Sequence, residues 1–146
     1  MNYPIIRNII GKIMILTAIF NYIENAEIVN LGILNCELSS KMNRDNMAGI
    51  INYAYNSKIE KCYTSGTMSY ANSAGGLICY ANDTKISNCY NTINSTNAGN
   101  AGGIVYQGKN VNITNCYNSG RFENFAYSGG IIGQSDNCYV YNVYNT

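Results

Sequence analysis

Tyr63, Tyr90, Tyr117 and Tyr144 stand 27 residues apart. Aromatic rings set at equal steps along a rigid surface can stack on sugars or pack against a protein partner. Cys62, Cys89 and Cys116 each immediately precede one of these tyrosines. Evenly spaced thiols could ligate a metal, but zinc sites are built from paired Cys and His ligands. This chain has no Cys-x-x-Cys and no histidine at all. The missing histidine also removes the commonest catalytic base and proton shuttle. No Gly-x-Ser-x-Gly, phosphate loop or calcium loop is present. Nine basic residues against eight acidic give a net charge of +1, which leaves no basic excess to neutralise phosphates. The expectation is therefore no catalytic residue, no metal, no cofactor and no nucleic-acid partner.

The elements that would hold these residues follow from internal repetition, which decides the fold before any local reading does. Ala48-Gly49-Ile50-Ile51, Gly75-Gly76-Leu77-Ile78, Gly102-Gly103-Ile104-Val105 and Gly129-Gly130-Ile131-Ile132 share one form and a 27-residue spacing. A second marker keeps the same spacing: IEKCYTS at 59–65, ISNCYNT at 86–92, ITNCYNS at 113–119 and VYNVYNT at 140–146. Two independent markers with one period leave no room for coincidence. Towards the N-terminus, Ile19-Phe20 and Ile28–Leu31 match their next copies at an offset of 31, so four extra residues lie between Leu31 and Ala48. The polar stretch Ser39–Asn46 is the expected place. Ile9–Ile13 reads as a still more worn copy.

The apolar stretches are short, rich in Ile, Val and Tyr, and separated by Gly, Asn and Ser. That is the punctuation of strands and turns. A 27-residue unit has room for about three strands of ~4–6 residues. Coiling such units stacks equivalent strands ~4.8 Å apart, and no coil buries its apolar face alone. The predicted fold is all-β, a right-handed parallel β-helix of four to five coils, its hand following the rule for parallel crossovers. Ile59, Ile86, Ile113 and Val140 form one inward column; Leu31, Cys62, Cys89, Cys116 and Val143 form another. The three-residue step between them implies a corner, filled by Asn30, Asn88, Asn115 and Asn142, with Lys61 breaking the series. Asparagine tolerates left-handed backbone and can bond its copy in the next coil. The tyrosine column that follows is expected to face outward. Cysteines that share a column with Leu31 and Val143 read as buried free thiols, although stacked neighbours also come within disulfide range. Low charge suits such stacking, because like charges repeated on every coil would repel.

These residues resemble the GLUG repeat family. Gly130-Ile131-Ile132-Gly133 fits its Gly-Leu-hydrophobic-Gly pattern, and the frame of an AGGIV-like strand followed by IxNCYNSG is similar too. FNYIENAEIVNLGILNC at 20–36 looks like the family's opening repeat. The resemblance covers roughly 19–146. It departs from the pattern at Asn52, Cys79 and Tyr106, where the second motif glycine would stand. Such repeats occur in bacterial surface and secreted proteins, including adhesin-like chains and non-catalytic regions of IgA-cleaving metallopeptidases. The resemblance thus implies a scaffold or adhesion role and an extracellular or cell-surface location, and it carries over no catalytic residue.

The apolar run 9–20 is interrupted by Lys12 and lacks a small-x-small cleavage site. It is short for a membrane span. Residues 1–18 are read as an N-terminal strand, cap or degraded coil, and 19–146 as the solenoid. The sequence stops in mid-repeat at Asn145-Thr146, so its ends are expected to stack on further repeats or another chain. The leading expectation is a non-catalytic repeat module that presents Tyr63, Tyr90, Tyr117 and Tyr144 to a glycan or a host or surface protein. Two alternatives are a polysaccharide lyase or hydrolase and an oligomerising fibre or tailspike segment. For the enzyme, Asp83 and Asp136 are the nearest thing to a carboxylate pair. They lie about two coils, roughly 10 Å, apart, against the ~6.5–9.5 Å of an inverting glycosidase.

Overall fold

Asparagine bends this chain. The computed structural model describes residues 14–15, 17–40, 45–97 and 99–146. Within them, fourteen non-glycine residues have positive φ, and eleven of these are asparagine. Thirteen fall into three columns that mark three corners of a coil. Asn25, Asn56, Asp83, Asn110 and Asn137 form one; Asn30, Lys61, Asn88, Asn115 and Asn142 form the next; Tyr70, Asn97 and Asn124 form the third. Left-handed backbone costs an ordinary L-residue about 1–2 kcal/mol, and asparagine less because its short amide bonds locally. Lys61 keeps the corner geometry at φ 53 without that help, so the break seen in the sequence is chemical, not conformational.

Between corners the chain is extended, and every strand pairing is parallel. Each full coil has four strands rather than three. In the central coil these are Ser73–Gly75, Ile78–Asn82, Lys85–Ser87 and Tyr90–Thr96. Stacking the coils makes four sheets, taken here in that order. The first has four strands, and the second and third have five each. The fourth has seven, of which Met14–Ile15 is one and pairs with Gly32–Ser39. Register holds at 27 throughout the central coils, as in Tyr80↔Gln107, Ile86↔Ile113 and Tyr63↔Tyr90. The architecture is a β-solenoid with the repeat length expected. The sequence marks only the second of these corners: Asp83 interrupts the asparagines of the first, and Tyr70 conceals the Asn97 and Asn124 series of the third.

The four extra residues of the N-terminal coil are not all in Ser39–Asn46. One is spent earlier: pairing runs Gly32↔Tyr63 and Ile33↔Thr64, then jumps to Cys36↔Gly66. Asn35 forms this bulge with φ 55. The remaining three lie between Ser39↔Ser69 and Asn46↔Ser73. Residues 41–44 of that stretch, and the worn copy Ile9–Ile13, lie outside the described residues.

Inside, the predicted columns are filled. Ile28, Ile59, Ile86 and Ile113 are buried one above another, as are Leu31, Cys62, Cys89 and Cys116. Burying an isoleucine contributes roughly 1.5–3 kcal/mol, and the coils above and below supply part of that burial. The final coil shows the converse: Val140, in the same column, is 42% exposed. The paired glycines are required by close approach. A Cβ on Gly75 would collide with the Ile78 carbonyl oxygen, and one on Gly76 with the Gly103 carbonyl oxygen.

A polar ladder also runs through the interior. Thr64 Oγ donates to Asn91 Oδ1 (2.7 Å), Asn91 Nδ2 to Asn118 Oδ1 (2.8 Å), and Asn118 Nδ2 to Asn145 Oδ1 (2.7 Å). Asn91 Oδ1 also accepts from the Ile93 N–H at 3.0 Å. Thr64, Asn91 and Asn118 are essentially inaccessible to solvent. Buried amides are tolerated because each finds partners in its own coil and its neighbours.

Candidate functional site

The predicted tyrosine column begins the strands of the fourth sheet and does face outward. Tyr63 is half-buried, while Tyr90, Tyr117 and Tyr144 are exposed. Tyr63 and Tyr90 stack with centroids 4.9 Å apart and planes 5° from parallel. Gly32 takes the column's first position because a Cβ there would enter the Tyr63 ring. Rings stacked in this way cover each other's faces, so the Tyr63–Tyr90 pair offers mainly edges and hydroxyls. Partial desolvation, reinforced by Tyr63, pushes the Tyr90 phenol up. Hydrogen bonding to Ser119 and Thr146 draws the Tyr117 phenol down. Tyr144 donates its hydroxyl to Asn142 Oδ1 at 3.0 Å.

A second aromatic surface was not anticipated. On the outer face of the second sheet, Tyr22, Tyr53 and Tyr80 lie in register. Tyr53 and Tyr80 stack at 4.9 Å, and Tyr55 stands two residues beyond Tyr53. Between this row and Tyr55 runs a groove of about 260 Å³, lined also by Ala54, Ala81 and Asn82 and bordered by Gln107 and Lys109. Its sequence trace was present. INYAY at 51–55 and ICYAN at 78–82 repeat a tyrosine at the same 27-residue step. The row is held from the side by the first sheet: Asn46 Nδ2 donates to Tyr53 Oη at 2.9 Å, and the Tyr80 hydroxyl lies 3.4 Å from Asn46 Oδ1. Beside it, Ala48, Cys79 and Tyr106 form a small buried cluster apart from the main core. Cys79 and Tyr106, two of the departures from the glycine pattern, thus pack in the angle between the first two sheets.

All six cysteines are free, and five are buried. The sulfurs of Cys62, Cys89 and Cys116 lie 3.1–3.3 Å from carbonyl oxygens two residues back. Burial pushes the Cys79 and Cys89 thiols up, and the Cys36 thiol to about 11. Buried, protonated thiols are poor nucleophiles. Asp83 and Asp136 are not brought together as a pair. Asp83 occupies a left-handed corner and accepts from Asn110 Nδ2 at 2.9 Å, whereas Asp136 ends a strand in register with Lys109. Their positions are therefore one residue out of phase, and Lys109 shares a column with Asp136 alone. Among the described residues, no three His, Cys, Asp or Glu side chains cluster to hold a metal. No helix of the described residues is long and apolar enough to cross a membrane.

Residues 70–96 match the family model described as the GLUG motif. Those 27 residues are one complete coil, from the corner at Tyr70 to the last residue before the corner at Asn97. No curated protein matches the chain. Among solved structures, a chain described as "IgA1 Protease" superposes with a TM-score of 0.74 at 20% identity. The match covers 90% of this chain and 11% of that one. The shared part is the fold, and this GLUG-containing chain is a β-helix repeat module spanning about one ninth of its structural neighbour's length.

Proposed function

We propose that this chain is a non-catalytic module of a bacterial surface or secreted protein, serving adhesion or structural presentation from a rigid β-helix face. The observation that carries this reading is the outward tyrosine column Tyr63, Tyr90, Tyr117 and Tyr144, held in register by the stacked coils. Stacked coils fix the spacing of these side chains, so a partner meets a preorganised surface at little entropic cost. Likeness to a small part of a much longer chain supports the role of a module within a larger protein. The partner would be a glycan or a protein of a host or cell surface, met outside the cell. Binding to a glycan array and to intact cells tests the reading. The paired change Tyr90→Ala and Tyr117→Ala should abolish the signal while the thermal midpoint stays near that of the parent. Retention of binding by this variant would refute the role of the column.

A further inference from the structure

We propose that the groove on the outer face of the second sheet is a separate binding site, and that its ligand is an uncharged oligosaccharide lying along the solenoid axis. Four observations lead there. The first is the wall. Tyr22, Tyr53 and Tyr80 occupy three successive coils, and the row ends at Gln107. Tyr53 is braced by Asn46 and Tyr80 lies close to the same side chain. The wall is therefore ordered before any ligand arrives.

The second observation is an unmet acceptor. Asn82 lines the groove, and its Oδ1 is shielded from solvent with no hydrogen-bond partner. A buried carbonyl oxygen left unpaired costs about 1–3 kcal/mol. Turning the half-buried Asn82 amide toward the groove would let a ligand hydroxyl recover that cost. The third is charge: Lys109 is the sole ionic side chain among the lining residues and stands at one end. A phosphate or strongly acidic ligand would call for a cluster of cations, and this lining instead offers phenols and amides. The fourth is pitch. Successive coils advance ~4.8 Å, close to the length of one pyranose unit. Consecutive sugars in an extended chain would thus meet equivalent positions on consecutive coils. Apolar surface with a few convergent polar atoms is the usual make-up of a small-ligand site.

This inference is independent of the column on the fourth sheet, and one experiment separates the two. Cellohexaose, chitohexaose and maltohexaose are titrated calorimetrically into the intact chain, with an uncharged proline-rich decapeptide as the opposing arm. At least one hexasaccharide should bind with a Kd at or below about 1 mM. Tyr22→Ala and Tyr55→Ala replace exposed side chains, so both variants should fold, and each should weaken binding about tenfold or more. Asn82→Ala should weaken it by a similar factor, and Tyr90→Ala with Tyr117→Ala should leave it unchanged. Failure of all three sugars to bind, binding of the peptide alone, or affinity that survives both tyrosine changes would overturn the proposal. Loss of sugar binding only in the Tyr90 and Tyr117 variant would also overturn it, while supporting the other face as the binding surface.

Discussion

The molecule builds asparagine ladders in two places with opposite surroundings. At the corners, Asn137 Nδ2 donates back to Asn110 Oδ1 (2.8 Å), and Asn142 Nδ2 donates back to Asn115 Oδ1 (2.7 Å), both in solvent. Inside, Asn91 and Asn118 donate forward at nearly the same distances with almost no exposure. Bond length does not distinguish them; water does. An exposed amide that loses its partner bonds to solvent, so the outer ladders contribute mainly through backbone preference. A buried amide has no substitute, so each inner bond is close to obligatory.

Removal of one inner rung is the strongest test of that contrast. Asn91→Ala would take the Oδ1 partner from the Ile93 N–H and one bond each from Thr64 Oγ1, which keeps the Gly76 carbonyl oxygen, and Asn118 Oδ1, which keeps the Gly120 N–H. It is expected to cost about 2–4 kcal/mol in urea-induced unfolding. A cost under about 1 kcal/mol would show that water reaches the ladder and that the two environments differ little. The interior thiols test the same point with pH. Cys36 is fully buried and its pKa is raised to about 11 from an ordinary 9.0. Because the folded value is the higher one, this stability is complete below pH 9. It should fall as the pH rises from 9 to 11, by about 2–3 kcal/mol in total. Cys36→Ala should make that limb of a stability–pH curve shallower, leaving the part owed to Cys79 and Cys89, although it is less stable at neutral pH. Smaller effects are expected outside. Asn115→Ala places alanine at φ 52 and should cost about 1 kcal/mol, with Asn115→Gly nearly neutral. Smallest of all, Lys61→Asn completes the second corner ladder and should stabilise by roughly 0.5 kcal/mol. A lower thermal midpoint for that variant would mean that Lys61 contributes more than its exposed contact with Glu60 implies.

Much of the scaffold could be read in advance, since a solenoid repeats its local chemistry. Cys62, Cys89 and Cys116 shared a column with Leu31 and Val143, and that substitution pattern alone marked them as buried. Asn30, Asn88, Asn115 and Asn142, between the two apolar columns, marked a corner for the same reason. Legibility failed where the repeat was worn or where sheets meet. The bulge at Asn35 was hidden because Ile33 and Leu38 look like one uninterrupted strand. The tyrosines of the second sheet were passed over because their 27-residue step covers only Tyr53 and Tyr80, with Tyr22 displaced by the N-terminal insertion.

The sequence alone determined the period, the strand-and-corner alternation and the columns that fill the core. In-register parallel stacking transmits every local preference from one coil to the next, so spacing along the chain becomes position in space. Only the tertiary structure decided which polar column is sealed and which aromatic surface is grooved. Alternation along a strand assigns a side chain to one face or the other, but it does not say what that face meets. Asn52, Cys79 and Tyr106 are buried because the first sheet folds against the second at their corner. The same fold braces Tyr53 and sets Tyr80 beside it.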